Sequence, residues 1–352
     1  MVGHMDCCDL GPTASSPEGV ELPEFQSKSP LFARWRTPMV KEGYLWVALD
    51  STHRYGSYDR LFIDSDGDGH LSDETVVVAY QAERRRSYFG PVRVIFEGQD
   101  GPITYHLNFE YFTRNGEKYL AVGSGGRYEG TVHVNGKKGN CVLIDYNANG
   151  TFDDKALDPS KSDRIRIGVE DNHDTRFVGN FIQVDGVLLQ LEVARDGAFI
   201  RLAEAGNVVF GQIRLPDTIT EFSAGGVNGL LTFKPEDGLG QLPMGQYRIH
   251  NWMIERQDGN GNRWRLEGER FGEEGDFEVA EAGETAITIG EPVVADLRVD
   301  RRNSECIFAQ NLRGRLGEYV VLSRNGLTPP ASKLHIKSAD GKYERTFSFE
   351  YG

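Results

Sequence analysis

The sequence predicts an all-β, multidomain chain of antiparallel β sandwiches. Three observations carry this. Apolar or period-two runs of roughly four to eight residues recur along the chain. Turn-forming dipeptides fall between and beyond them, and no segment holds apolar residues at helical spacing for more than about three turns. The runs include Tyr44-Leu45-Trp46-Val47-Ala48-Leu49, 75–80, Val92-Arg93-Val94-Ile95-Phe96, 104–112, Tyr119-Leu120-Ala121-Val122, Thr131-Val132-His133-Val134 and Val142-Leu143-Ile144. They are rich in β-branched and aromatic residues, which pack well on a pleated surface. The turn signals are Asn115-Gly116, Asn135-Gly136, Asp185-Gly186, Asp196-Gly197, Asn325-Gly326 and Asp340-Gly341. Asn-Gly and Asp-Gly readily take the positive φ angles of type I′ hairpin turns, so the strands they join are antiparallel.

Composition narrows the function. With 39% hydrophobic and 11% aromatic residues over 352 positions, the chain has material for a core and is expected to fold. Its formal net charge of −14 argues against nucleic acid as a main partner, because phosphate binding needs clustered cations. The one dense basic run, Arg84-Arg85-Arg86, stands beside Glu83. No stretch reaches the roughly 20 apolar residues of a membrane-spanning helix. Residues 1–22 carry no apolar h-region, so no secretory signal is expected within them. Cys7, Cys8, Cys141 and Cys306 have neither zinc-site spacing nor the density of a disulfide framework. Cys141 and Cys306 read as small buried hydrophobes, with a bridge between them left open.

Four regions follow in order. Residues 1–28, rich in Ser, Pro and Gly, are expected to be a mobile tail. Residues 29–205 form a β domain closed by the strand pair near 187–193 and 198–202. The pattern restarts with Val208-Val209-Phe210-Gly211-Gln212-Ile213 and defines a sandwich over 206–290. Residues 291–352 form a small C-terminal β domain, short for an independent core and able to pack on its predecessor. Within 206–290, Leu242-Pro243-Met244-Gly245-Gln246-Tyr247 has the form L-P-x-G-x-Y. It resembles the turn-and-strand signature of small Ig-like or prealbumin-like sandwich domains of bacterial envelope and secreted proteins.

The chemistry lies in a repeat. Leu61-Phe62-Ile63-Asp64-Ser65-Asp66-Gly67-Asp68-Gly69-His70-Leu71-Ser72-Asp73-Glu74 aligns with the segment 81 positions later, Val142-Leu143-Ile144-Asp145-Tyr146-Asn147-Ala148-Asn149-Gly150-Thr151-Phe152-Asp153-Asp154-Lys155. Both copies read D-x-[DN]-x-[DN]-G after a short apolar strand end. Oxygen-bearing side chains at alternate positions converge as the backbone curls, the glycine permits the sharp turn, and a later carboxylate closes the shell. This suits Ca²⁺, which takes roughly six to eight hard oxygen ligands. The candidate ligands are Asp64, Asp66, Asp68, His70 (through its carbonyl), Asp73 and Glu74 in the first loop. In the second they are Asp145, Asn147, Asn149, Thr151 (through its carbonyl), Asp153 and Asp154. Position 12 of an EF-hand would hold Glu, but here it is Thr75 and Ala156, and no helices flank the loops. In this the loops resemble those of dockerins, thrombospondin type 3 repeats and calcium-bearing β proteins of the bacterial surface. Five acids of the first loop and three of the second concentrate much of the negative charge. Asp258-Gly259-Asn260-Gly261-Asn262 reads as an ordinary turn.

Catalytic motifs are absent: there is no H-E-x-x-H, G-x-S-x-G, P-loop or dinucleotide fingerprint. Gly123-Ser124-Gly125-Gly126 reads as a loop. Asp171-Asn172-His173-Asp174 reads as a polar loop from which Asp171 or Asp174 could reach a metal. The leading expectation is a calcium-binding β module of a secreted or envelope compartment, with a structural or binding role and a glycan or another envelope protein as partner. The alternative is a calcium-dependent glycoside hydrolase or lyase, with Tyr55, Tyr58, Tyr88, Tyr105, Tyr111, Tyr128 and Trp46 as a sugar-stacking surface and Arg84 to Arg86 facing an acidic glycan. Adhesion through an exposed β edge is a third. No catalytic residue and no organic cofactor site is assigned.

Overall fold

The computed structural model describes residues 8–53, 57–98, 101–134, 136–168, 175–281, 283–303 and 305–351. Among them the chain is all-β, in multiple antiparallel sheets with two short 3-10 turns as the sole helical pieces. It divides into two compact units, Met1–Ala205 and Gly206–Gly352.

Among the described residues the first unit has four sheets. One orders Leu31–Arg36, Tyr44–Asp50, Arg60–Ile63 and Val77–Val78; another orders Cys8–Asp9, Glu117–Ser124, Gly101–Arg114, Arg86–Gly98 and Gln81–Glu83. A third runs Tyr128–Val134, Lys137–Ile144, Arg164–Gly168 and Arg176–Phe177, and a fourth Phe181–Val184, Val187–Val193 and Ile200–Glu204. Trp35, Val47, Leu61, Phe89, Leu107, Val122, Leu143, Ile165, Ile182 and Leu191, drawn from all four, lie in one buried cluster. Period two explains the burial in Gly101–Arg114, Lys137–Ile144, Phe181–Val184 and Val187–Val193, whereas Tyr44–Asp50, Arg60–Ile63 and Glu117–Ser124 each carry runs of consecutive buried residues. Within Arg86–Gly98 the buried set changes from Ser87 and Phe89 to Val92, Val94 and Phe96, and the register shifts between Phe89 and Val92. That irregularity keeps both halves facing the core. Gly90 sits in it at φ 126°, where a Cβ would fall 2.8 Å from the Leu107 carbonyl oxygen.

Three of the turn dipeptides have both residues at positive φ: Asn115-Gly116, Asp185-Gly186 and Asn325-Gly326. In Asp196-Gly197 and Asp340-Gly341 only the glycine does. Asn135 lies outside the described residues.

The expected mobile tail is corrected over residues 8–28. Cys8–Asp9 pairs with Glu117–Ser124, Thr13 bridges Phe32, and Glu21 bridges His70. Val20, Leu22 and Phe25 pack on a second cluster of Phe32, Ala48, Phe62 and Leu71. Its Ser, Pro and Gly suppress periodicity, but isolated apolar residues suffice to hold an irregular strap.

The second unit is built on an eight-stranded sheet. Gly229–Phe233, Glu221–Gly226, Gly245–Gln257, Arg263–Glu269, Tyr319–Arg324, Glu305–Arg313 and Val294–Arg302 follow in order, and Asp276–Val279 also pairs with Gly245–Gln257. A three-stranded sheet holds Leu239–Pro243, Phe210–Arg214 and Glu284–Ala286; its last pairing is parallel. Lys333–Lys337 and Glu344–Ser348 form a separate hairpin. The eight-stranded sheet runs across residue 290, where the sequence reading begins a third domain. Buried Trp252 donates from Nε1 to Oε1 of buried Glu318 at 2.7 Å, tying the two segments together.

The L-P-x-G-x-Y segment has a local cause. The fully buried Tyr247 hydroxyl donates to the Pro243 carbonyl at 2.8 Å and accepts from Asn228 Nδ2 at 3.0 Å, and Asn228 Nδ2 also reaches the Met244 carbonyl. Gly245, at φ 148°, leaves room for that amide: a Cβ would lie 2.8 Å from Nδ2.

The cysteines divide. Cys141 is buried, as expected, whereas Cys306 is exposed on a hairpin strand, and both are free, so no bridge joins them. Among the described residues no helix is long and apolar enough to cross a membrane.

Candidate metal centre

The first loop leaves the sheet after Arg60–Ile63. Asp64 is still anchored there, its N–H donating to the Trp46 carbonyl at 3.0 Å. Gly67 and Gly69 then turn the chain at φ 77° and 84°. Asp66 Oδ1 accepts from the Asp68 N–H at 3.3 Å and Asp68 Oδ1 from the His70 N–H at 2.8 Å, two local turns that curl the backbone. Leu71, two positions after Gly69, is fully buried and pins the far side of the curl.

The predicted ligands separate into two groups. Asp64, Asp66 and Glu74 bring carboxylate oxygens within 4.8 Å of one another; Asp68, His70 and Asp73 form a second, wholly exposed group. Glu74 is fixed by Ser65, whose N–H and hydroxyl both donate to it, the latter at 2.9 Å. Asp64 is 4% exposed; its Oδ2 accepts from the Gly69 N–H at 3.2 Å, and its Oδ1 is buried with no hydrogen-bond partner. A buried carboxylate oxygen without a partner is costly unless a cation or proton meets it. Burial pushes the Asp64 carboxyl up, opposed by the Gly69 and Gly67 N–H groups and reinforced by Asp68 and Asp66. Glu74 is pushed up by burial as well, against the Ser65 bonds, with Asp66 and Asp64 adding to it.

The second loop has the same curl and different satisfaction. Asp145 is 1% exposed, and its Oδ2 accepts from the Tyr105 hydroxyl and the Gly150 N–H, each at 2.7 Å. Asn147 Oδ1 accepts from the Asn149 N–H at 3.1 Å, and Asn149 Oδ1 from the Thr151 N–H at 2.9 Å. Both amide groups then donate to Asp154 Oδ2, Asn147 at 2.9 Å and Asn149 at 2.6 Å. The Thr151 hydroxyl stands 3.0 Å from the same oxygen. Asp154 therefore joins the loop's oxygen cluster, while the expected companion Asp153 makes no hydrogen bond to that cluster that the structure records.

Asp163 is the residue sequence reasoning missed. It is fully buried, accepts from the Tyr146 N–H at 3.1 Å and the Asp154 N–H at 2.9 Å, and thereby holds both ends of the second loop. Burial, with Asp145 adding to it, pushes its carboxyl up to about 9. Burial lifts Asp145 to about 6 against the bonds from Tyr105, Gly150 and Asn149. Nothing in the run Ser162-Asp163-Arg164-Ile165 marks Asp163, because its partners come from the tertiary fold.

Other expectations also meet the structure here. Tyr58, Tyr105 and Tyr111 are core residues instead of a sugar-stacking surface, since their rings pack on Trp35, Phe152 and each other. Tyr128 is exposed and leans on Phe152; Tyr88 is half-buried and stacks on Tyr80. Tyr55 and 171–174 lie outside the described residues. Asp258 is a turn residue, held well below the usual carboxylate range by hydrogen bonds from Trp264 and from the side chain and backbone of Asn262.

Compared with protein-family models, with curated proteins and with solved structures, the chain matches none.

Proposed function

We propose that this is a calcium-binding β-sandwich protein of secreted or envelope type, serving as a structural or binding module, with its principal ion site in the first loop. The observation that carries the reading is Asp64: an almost wholly buried carboxylate, one oxygen without a partner, beside Asp66 and Glu74. A hard divalent cation there would satisfy that oxygen and offset the crowding of three acids. The all-oxygen donor set favours calcium over a softer metal. An ion in the second loop must first displace the amide and hydroxyl contacts to Asp154, so that site binds more weakly. Calcium would fix the loop backbones, and stability would rise by mass action. The secreted or envelope setting rests on the resemblance of the loops and on the calcium supply outside cells.

Calorimetric titration of the full chain with calcium, after chelator treatment, tests this. The expected result is a tighter event lost in Asp64→Ala and a weaker one lost in Asp145→Ala. No binding, or tight binding untouched by Asp64→Ala, would overturn the assignment.

A further inference from the structure

We propose that residues 20–27 are a latch whose docking is coupled to cation binding in the first loop, so that calcium closes this segment onto the sheet. The inference rests on the calcium reading above. Gly69 links the two sites. Its N–H donates to Asp64 Oδ2 at 3.2 Å, and its carbonyl accepts from the Glu21 N–H at 3.3 Å. The Glu21 carbonyl in turn accepts from the Leu71 N–H at 2.8 Å, making a short parallel bridge between latch and loop. His70, between Gly69 and Leu71, has its Nε2 3.9 Å from the Glu21 carboxylate.

Packing extends the connection. Leu71 is fully buried with Phe32, Ala48 and Phe62, and Val20, Leu22 and Phe25 pack against that group. The Phe25 ring meets Phe32 and Phe62 edge-on, with centroids 5.6 and 5.9 Å away. At the end of the latch the Gln26 and Ser27 N–H groups each donate to Asp50 at 2.9 Å. The docking surface thus includes part of the metal loop itself, the Gly69 carbonyl and the Leu71 side chain. Drawing Asp64, Asp66 and Glu74 onto one ion fixes the curl that presents both. Without the ion, repulsion among the three acids favours opening that curl, and the latch loses its hydrogen-bonded edge and its apolar seat together. Coupling of this kind is reciprocal, so a docked latch raises calcium affinity by the factor by which calcium favours docking.

Amide hydrogen exchange on the full chain tests the latch. Peptides covering 20–27 are followed in chelator and in calcium at ten times the Kd that calorimetry gives on the same sample. Full coupling makes opening about elevenfold rarer under those conditions, so the Glu21, Gln26 and Ser27 amides should exchange about that much more slowly. Peptides from 333–348, in the other unit, should be unchanged. Glu21→Pro, which removes the donor to Gly69, and Phe25→Ala, which keeps the backbone and removes the ring, should each weaken calcium binding several-fold. Calcium binding with unchanged exchange in 20–27, or with an unaltered Kd in both variants, overturns the latch and leaves the loop assignment standing. Absence of binding overturns both.

Discussion

Asp64→Asn should change the sign of its effect on stability with calcium. The substitution keeps the shape of a side chain that is 4% exposed and removes one negative charge from a group whose oxygens lie within 4.8 Å. At that distance two unit charges repel by about 3.5 kcal/mol at an effective dielectric of about 20. Asp66 is exposed and Glu74 only half-buried, so solvent screening reduces the relief on removing Asp64's charge to about 1 to 2 kcal/mol. In chelator the variant should therefore melt as high as the parent or slightly higher. With calcium at about 100 times Kd the parent gains about 2.7 kcal/mol, which for a unit of this size raises the midpoint by about 5 to 10 °C. The variant should lose most of that gain, so the order of the two proteins inverts. Differential scanning calorimetry in both buffers reads this directly. A variant less stable than the parent by the same amount in each would refute the reasoning, leaving Asp64 only as an acceptor for the Gly69 N–H.

Asp50 is a buried carboxylate that accepts from Arg60 Nη1 at 2.6 Å and from the Gln26 and Ser27 N–H groups. Asp50→Asn should cost about 3 kcal/mol, because it leaves Arg60 without its charge partner; a midpoint drop below about 2 °C in thermal melts would contradict this. Asp163, pushed up to about 9 from 3.8, binds its proton more tightly in the folded state. Its contribution is complete below about pH 4 and is lost as pH rises toward about 9. In chelator, the midpoint difference between the parent and Asp163→Asn, which cannot titrate, should move against the parent from pH 5 to pH 8.5; a constant difference would argue against a protonated Asp163. Tyr247→Phe removes a buried hydroxyl with two partners, taking the donor from the Pro243 carbonyl and one acceptor from the Asn228 amide, which keeps its contact to the Met244 carbonyl. The second unit should lose about 1 to 3 kcal/mol, measured by denaturant unfolding, with calcium affinity at the first loop unchanged.

Much of the fold was legible because its signals are local. Strand Arg86–Gly98 shows period two on both sides of Gly90, and Asn115-Gly116 and Asp185-Gly186 form the tight positive-φ turns that their residue types favour. The spacing of Asp64, Asp66 and Gly69 likewise reports a curl that depends on its own backbone. The strap over 8–28 is not legible, because Val20, Leu22 and Phe25 are too few and too irregularly spaced to set a pattern, and their partners Ala48, Phe62 and Leu71 are distant in sequence. Cys306 shows the reverse: an apolar neighbourhood in sequence, Ile307-Phe308, lies on a hairpin strand where Ile307 is itself exposed.

From sequence alone came the all-β class, the two loops and the residue types at each position, since hydrophobic period and turn geometry operate over a few neighbouring residues. Tertiary structure decided what the two matching loops do with their oxygens. In the first, Glu74 reaches back to Ser65 and Asp64 is left with a buried, unpartnered oxygen; in the second, Tyr105, Asn147, Asn149 and Thr151 meet Asp145 and Asp154, and Asp163 closes the loop from beyond it. Alternate acids can be counted along a chain. Whether the buried carboxylate at the head of the loop meets a hydroxyl, as Asp145 meets Tyr105, or keeps an open position, as Asp64 does, depends on strands that arrive from elsewhere, and burial then makes that difference energetically large.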